Sequence, residues 1–192
     1  MTRCRSCCPS QICKNSCPAD YHSYAAFSDD AGKTWGRSAL LPKGTTECAI
    51  AEVGSRGELY MSIRSLGYPG ADGKRLSSRS QDAGATWSTP VPEPQLPDAG
   101  GCAGSVVSGS AGTVYYSHPN AHGRTNMSVW VSRDEAATWA APAPVFAGGS
   151  AYSSMAMLQG RADAPAPGGT ETVALSFEKG GYKSIAFTTL TF

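Results

Sequence analysis

Apolar and polar residues alternate along several stretches of the chain. Leu59, Met61 and Ile63 share one side of an extended segment whose other side ends at Arg64. Met127, Val129 and Val131 repeat the pattern, as do Val173, Leu175 and Phe177. A spacing of two returns side chains to one face of a strand, so each stretch predicts a β-strand. No strong amphipathic helical pattern competes with these segments. Gly- and Pro-rich stretches at 89–104, 140–150 and 161–170 fall between strand candidates and read as loops. No linker divides the chain into two domains.

A second pattern runs over the first. The segments SDDAGKTW (28–35), SQDAGATW (80–87) and SRDEAATW (132–139) align as S-x-D-x-G-x-T-W, with Ala136 in place of the glycine in the third copy. Their first residues, Ser28, Ser80 and Ser132, are spaced 52 residues apart both times. Ser and Asp side chains bond nearby backbone N–H groups and hold tight reversals. Gly then supplies backbone freedom, and Thr and Trp begin the returning strand. Calcium binding is the functional rival, because Asp29 and Asp30 precede a glycine. The further oxygen ligands and late Glu of an EF-hand loop are missing, so the motif reads as structural. A period near 50 residues accommodates a four-stranded sheet with its connections, and such sheets repeated around an axis form a propeller.

Composition narrows the partners. Sixteen Lys and Arg nearly cancel fifteen Asp and Glu, leaving a formal net charge of +1. Bulk charge therefore does not recruit nucleic acid or a membrane surface, and an anionic ligand must be captured by a few placed cations. No apolar run approaches the ~18 residues of a membrane helix, and the N-terminus has no apolar core of the secretory kind. Cys4, Cys7, Cys8, Cys13 and Cys17 crowd the first 17 residues, whereas Cys48 and Cys102 stand apart. Cys4/Cys7 and Cys13/Cys17 have spacings that zinc can use, but no His or second CxxC follows at a matching distance. Residues 1–19 are expected to form a poorly ordered leader ahead of a fold spanning 20–192, with neither metal nor cofactor.

The repeated motif resembles the Asp-box of sialidases, also called neuraminidases, and further segments sharpen the likeness. Glu47-Cys48 followed by a strand ending at Arg64 is similar to that family's Glu-then-Arg segment. HGRTNMSVWVSRD resembles the strand opened by a substrate-binding arginine, here Arg124. AYSSMAML resembles the nucleophile region, which places that role on Tyr152. SFEKGGYKSIAFTTL is similar to the terminal strand pair, with Glu178 as a supporting carboxylate. The resemblance implies an all-β fold: the C-terminal part of a six-bladed propeller, with roughly three to four four-stranded blades. It also implies an exo-α-sialidase that acts on sialic-acid-containing glycoconjugates with retention of configuration.

The chemistry explains why these residue types belong together. Sialic acid carries its own carboxylate beside the anomeric carbon, and Arg64 and Arg124 would clamp it in charge-assisted hydrogen bonds. That carboxylate repels an acidic nucleophile. A neutral Tyr152 avoids the repulsion if Glu47 accepts its proton. Each residue also has an ordinary reading. Glu47 and Arg124 can be solvated charges, Arg64 an exposed strand end, Tyr152 a half-buried aromatic, and Glu178 a surface partner of Lys179 or Lys183. It is their occurrence as an ordered set that favours the site. His22, His118 and His122 suggest neither a triad nor a metal centre.

Family members also carry an earlier clamp Arg and an acidic Asp, and neither motif precedes Tyr24. Arg3, Arg5 and Asp20 do not match that context. The chain is thus expected to be a fragment whose turnover depends on absent residues, and whose open propeller ends promote instability or self-association. The competing functions are a sialoglycan-binding module without turnover and a structural Asp-box propeller with a protein ligand.

Overall fold

The computed structural model describes residues 4–11, 21–54, 57–99, 101–158 and 170–192, the first of these as backbone only. Thirteen strands and no helix occur among the described residues: β1 (Cys4–Gln11), β2 (Tyr21–Ser28), β3 (Gly36–Arg37), β4 (Thr45–Val53), β5 (Glu58–Ser65), β6 (Lys74–Ser80), β7 (Val91–Pro97), β8 (Ser105–Ser108), β9 (Val114–Ala121), β10 (Thr125–Ser132), β11 (Ala143–Leu158), β12 (Thr172–Lys179) and β13 (Ser184–Thr191). The cysteine side chains of the N-terminal segment, and the boundary expected at residue 20, lie outside what is described. Cys48 on β4 is engaged in a disulfide, whereas Cys102 is a buried free thiol.

The strands hydrogen-bond in chain order as antiparallel meanders: β1-β2-β3, then β4-β5-β6-β7, then β8 through β13. The last sheet changes direction inside the 16-residue β11. Residues up to Gly149 pair with β10, and those from Ser150 onward pair with β12. β11 therefore belongs to two meanders, β8-β9-β10-β11 and β11-β12-β13.

Why the sheets stack is visible in β5, where Leu59 to Ile63 are all buried. Met61 and Ile63 pack with Ala25, Leu41 and Leu76 on one side. Tyr60 packs with Val114, Tyr116, Trp130 and Trp139 of the following sheet on the other. β9 and β10 repeat the arrangement: Tyr116 and Trp130 face back, while Tyr115, Met127 and Val129 face forward to Val173, Leu175 and Phe177. The alternation in the sequence thus marks one apolar face of a strand that is buried on both. Stacked face-to-face meanders of this kind are the propeller-type solution.

Two of the expected loops are strands. Val91–Pro97 forms β7, and Ala143 begins β11 within the stretch 140–150. Proline removes a backbone donor and is tolerated where one edge of a strand needs no partner. β7 is the last strand of its sheet and pairs with β6 through an irregular register. The third expected loop, 161–170, lies outside the described residues except for Thr170.

The three repeats are superposable turns. In the first, Ser28 Oγ donates to Asp30 Oδ1 at 2.8 Å and accepts from Gly32 N at 2.8 Å. Asp30 accepts from Thr34 N at 2.9 Å and Thr34 Oγ1 at 2.6 Å. The second and third copies repeat these bonds around Asp82 and Asp134. Threonine bonds first, then the serine, hold all three exposed carboxyls at a pKa of about 2. The turn needs left-handed backbone at the glycine: φ is +87° at Gly32 and +90° at Gly84. Ala136 adopts 61° there without glycine's freedom.

The third copy differs in a second way. Trp35 and Trp87 donate their indole N–H to Gly32 O and Gly84 O, both at 3.1 Å. In the third turn the equivalent carbonyl, Ala136 O, accepts from Arg79 Nη2 at 2.8 Å instead. Trp139 is buried against the preceding sheet, and Gln95 brackets its backbone with bonds of 2.9 Å to both its N–H and its carbonyl. The last turn has become an inter-sheet latch.

Candidate active site

Each expected site residue lies at or beside a break in strand register. Glu47 sits in β4 where pairing with β5 shifts between Thr45 and Cys48, and Arg64 stands on β5 opposite that shift. Tyr152 lies in β11 where pairing with β12 shifts between Ser150 and Ser153. Arg124 precedes β10, whose pairing shifts between Thr125 and Met127, and has a left-handed φ of 57°. An extra residue in a ladder re-aims the local side chain, which is why residues of four different strands or strand ends point to one place.

Glu47 is the centre of that place. Its Oε1 accepts the Tyr152 phenol at 2.7 Å across 105 residues of chain. Its Oε2 accepts Arg64 Nη1 at 2.8 Å. The Arg124 guanidinium carbon stands 5.4 Å from the centre of the Tyr152 ring, within cation–π range. Glu178 holds the backbone behind the phenol, its Oε2 accepting Tyr152 N at 3.1 Å. All five residues named from the sequence therefore converge. Glu178 acts through the main chain rather than through the phenol.

Burial raises the Tyr152 pKa, the Glu47 hydrogen bond and charge raise it further, and Arg64 and Arg124 only partly oppose them. The phenol thus keeps its proton at neutral pH and points it at a carboxylate, the arrangement from which a proton can pass as the oxygen forms a bond elsewhere. A cavity of about 130 Å³ opens on the Arg124 side of Tyr152, lined by Arg124, Ser150, Ala151, Glu178, Gly181 and Tyr182 among others. It shares Arg124 and Glu178 with the cluster, whereas Glu47, Arg64 and Tyr152 are not among the residues that line it.

Several supporting groups have no local sequence signature. Gly101 O accepts Arg124 Nη2 at 2.9 Å, and a side chain at Gly101 would begin 3.7 Å from Arg64 Nη2. Below it, fully buried Arg75 donates to Asp98 Oδ1 at 3.1 Å and to Cys102 O at 3.0 Å. Asp98 Oδ2 also accepts from Ser65 N at 2.9 Å, which ties this loop to the residue after Arg64. The loop that supplies Gly101 is thereby anchored on both sides.

His118, Cys102 and Asp98 also meet in this layer, but not as a catalytic relay. His118 Nε2 faces Cys102 O at 3.1 Å, Cys102 Sγ at 3.8 Å and Asp98 Oδ1 at 3.6 Å, so one nitrogen faces every partner. Burial depresses the imidazole pKa to about 4 and raises the thiol to about 11. Both side chains are neutral and enclosed at physiological pH.

Comparisons with known proteins give the family. The BNR repeat-like domain family matches residues 3–163. Sialidase-2 of Cricetulus griseus is 26% identical over 184 residues, covering 88% of this chain and 46% of its own length. Sialidase-4 of Homo sapiens is 36% identical over 105 residues, covering 52% of this chain and 20% of its own length. Among solved structures, the Hadza microbial sialidase Hz136 superposes with a TM-score of 0.72 at 24% identity, over 90% of this chain and 32% of that one. The chain spans about half the length of the first of these curated relatives. With its three Asp-box turns and stacked β-meanders, the chain belongs to the sialidase/BNR-repeat family.

Proposed function

We propose that this chain carries the sialic-acid site of an exo-α-sialidase, a retaining glycoside hydrolase that releases terminal sialic acid from glycoconjugates. The observation that carries the reading is the Tyr152 phenol donating to Glu47 at 2.7 Å, with Arg64 on the other oxygen of the same carboxylate and Arg124 over the phenol ring. A tyrosine nucleophile is an exception among glycosidases already established for sialidases. In this site Tyr152 Oη bonds to the anomeric carbon as the bond to the leaving oxygen breaks, and the phenolic proton moves to Glu47. Arg64 and Arg124 hold the substrate carboxylate, and Glu178 fixes the backbone that carries the nucleophile. Water then attacks the anomeric carbon and passes its proton to the group that protonated the leaving oxygen, while the bond to Tyr152 Oη breaks and Glu47 returns the phenolic proton.

The reading extends to the architecture. The described meanders form three to four blades of a six-bladed propeller, and among the described residues none is assigned the protonation of the leaving oxygen or the place of a third arginine. Removing such charge-stabilising and acid groups lowers turnover by orders of magnitude, so ligand binding is expected to persist where hydrolysis is slow.

The test is release of a fluorophore from a sialoside by the purified chain, beside binding of a sialic-acid transition-state analogue. Tyr152→Phe is expected to abolish turnover while retaining the analogue, and Arg124→Ala to lose the analogue. Binding without detectable turnover in the parent chain would assign it as a sialoglycan-binding module. Absence of both signals would leave a structural propeller.

A further inference from the structure

The turn between β12 and β13 has an unusual backbone. Gly180, Gly181 and Tyr182 adopt φ values of 66°, 67° and 68°, three consecutive residues in the left-handed region. Lys183 N closes the turn on Lys179 O at 3.2 Å, and Gly180 N bonds Gly149 O at 2.7 Å. The turn is thus seated on the point where β11 changes partner, next to Tyr152. Two glycines enter this conformation without a side-chain clash, but an aromatic residue does not.

Packing does not explain the tyrosine. Tyr182 is 58% exposed and belongs to no apolar cluster. Its hydroxyl accepts from Arg124 Nη1 at the cavity rim. Gly101 O accepts from Arg124 Nη2, so the two terminal nitrogens of the guanidinium are fixed by two acceptors from different loops. Two such bonds set the plane of a guanidinium, and that plane decides whether it meets a carboxylate in paired hydrogen bonds.

We infer that Tyr182 is a positioning residue for Arg124, its left-handed backbone retained because the phenol orients the guanidinium over the nucleophile. The inference deepens the sialic-acid reading and rests on it for the identity of the ligand, but not for the contact itself. Left-handed backbone at a non-glycine residue whose side chain makes one specific contact at a cavity rim motivates a functional reading.

The experiment uses the full chain with two variants. Tyr182→Phe removes only the hydroxyl, and Tyr182→Gly also relieves the backbone. The Nε–H resonance of Arg124, assigned with Arg124→Lys, is recorded without ligand. It is expected to move or broaden in both variants, and affinity for the transition-state analogue to fall about tenfold in both. The melting temperature should be unchanged in Tyr182→Phe and raised in Tyr182→Gly, so binding and stability move in opposite directions. An unmoved Arg124 resonance with affinity within about twofold of the parent overturns the inference. So does a lower melting temperature in Tyr182→Gly, which would make the residue structural. A parent chain that binds no analogue, while Tyr182→Phe still moves the Arg124 resonance, defeats the sialic-acid reading and upholds the positioning role.

Discussion

Glu47 holds a proton donor on one carboxylate oxygen and a cation on the other, and the chemistry of Tyr152 follows from that double engagement. Burial raises the phenol pKa, the hydrogen bond and negative charge of Glu47 raise it further, and Arg64 and Arg124 lower it. Glu47→Ala removes the two contributions that Glu47 makes and leaves burial and both guanidiniums in place. The Tyr152 pKa is therefore expected to fall in this variant, which ultraviolet titration against a Tyr152→Phe background can follow. Because the folded pKa lies above the unfolded one in the parent, the stability linked to this proton is present below the unfolded value of 10.0 and is lost as pH rises through the folded one. The variant should narrow that alkaline window. A phenol pKa that stays or rises would show that Glu47 does not govern it.

At the level of single elements, the Asp-box turn is the unit that the amino-acid pattern made legible. Its constant spacing marked three reversals, and the hydrogen bonds around Asp30, Asp82 and Asp134 follow from the Ser, Asp and Thr positions. The strands β7 and β11 were not legible in the same way. Their prolines and glycines read as loop residues, and only the sheet edge or the switch of partner inside β11 makes them extended. Gly84 tests the turn geometry. At φ +90° a Cβ would lie 3.2 Å from Leu59 Cδ1, so Gly84→Ala is expected to lower stability by about 1–2 kcal/mol in chemical denaturation. The three carboxyls give a second test. Their pKa falls from 3.8 to about 2 on folding, so the stability they contribute is complete above pH 3.8 and is lost as pH drops toward 2. Substituting all three with Asn should flatten the acid limb of a melting-temperature profile between those values. An unaltered acid limb would remove the motif's carboxyls from the account of stability.

For the molecule as a whole, alternation and repeat period conveyed the stacking of β-meanders, and family resemblance conveyed the five converging side chains. What lay beyond both were contacts made only in three dimensions, such as Gly101 with Arg124 and Arg75 with Asp98. No residue spacing encodes these, because each depends on loops brought together by neighbouring sheets. Among the described residues, the last strand presents apolar side chains to solvent. β13 is the last strand of its sheet, and Ile185 and Phe187 on it are 70% and 69% exposed. An unpaired edge with exposed apolar side chains favours association between chains. Sedimentation is expected to show mass rising with concentration, and Ile185→Lys with Phe187→Lys to reduce it. A dilute monomer with a sharp two-state melt would contradict that expectation.

The most direct measurement is calorimetric titration of the intact chain with a sialic-acid transition-state analogue, repeated with Arg124→Ala and Arg64→Ala. Two guanidiniums gathered around Tyr152 and Glu47 predict saturable one-site binding in the parent and its loss in both variants. Absence of binding in the parent, or equal affinity in all three proteins, would contradict the account.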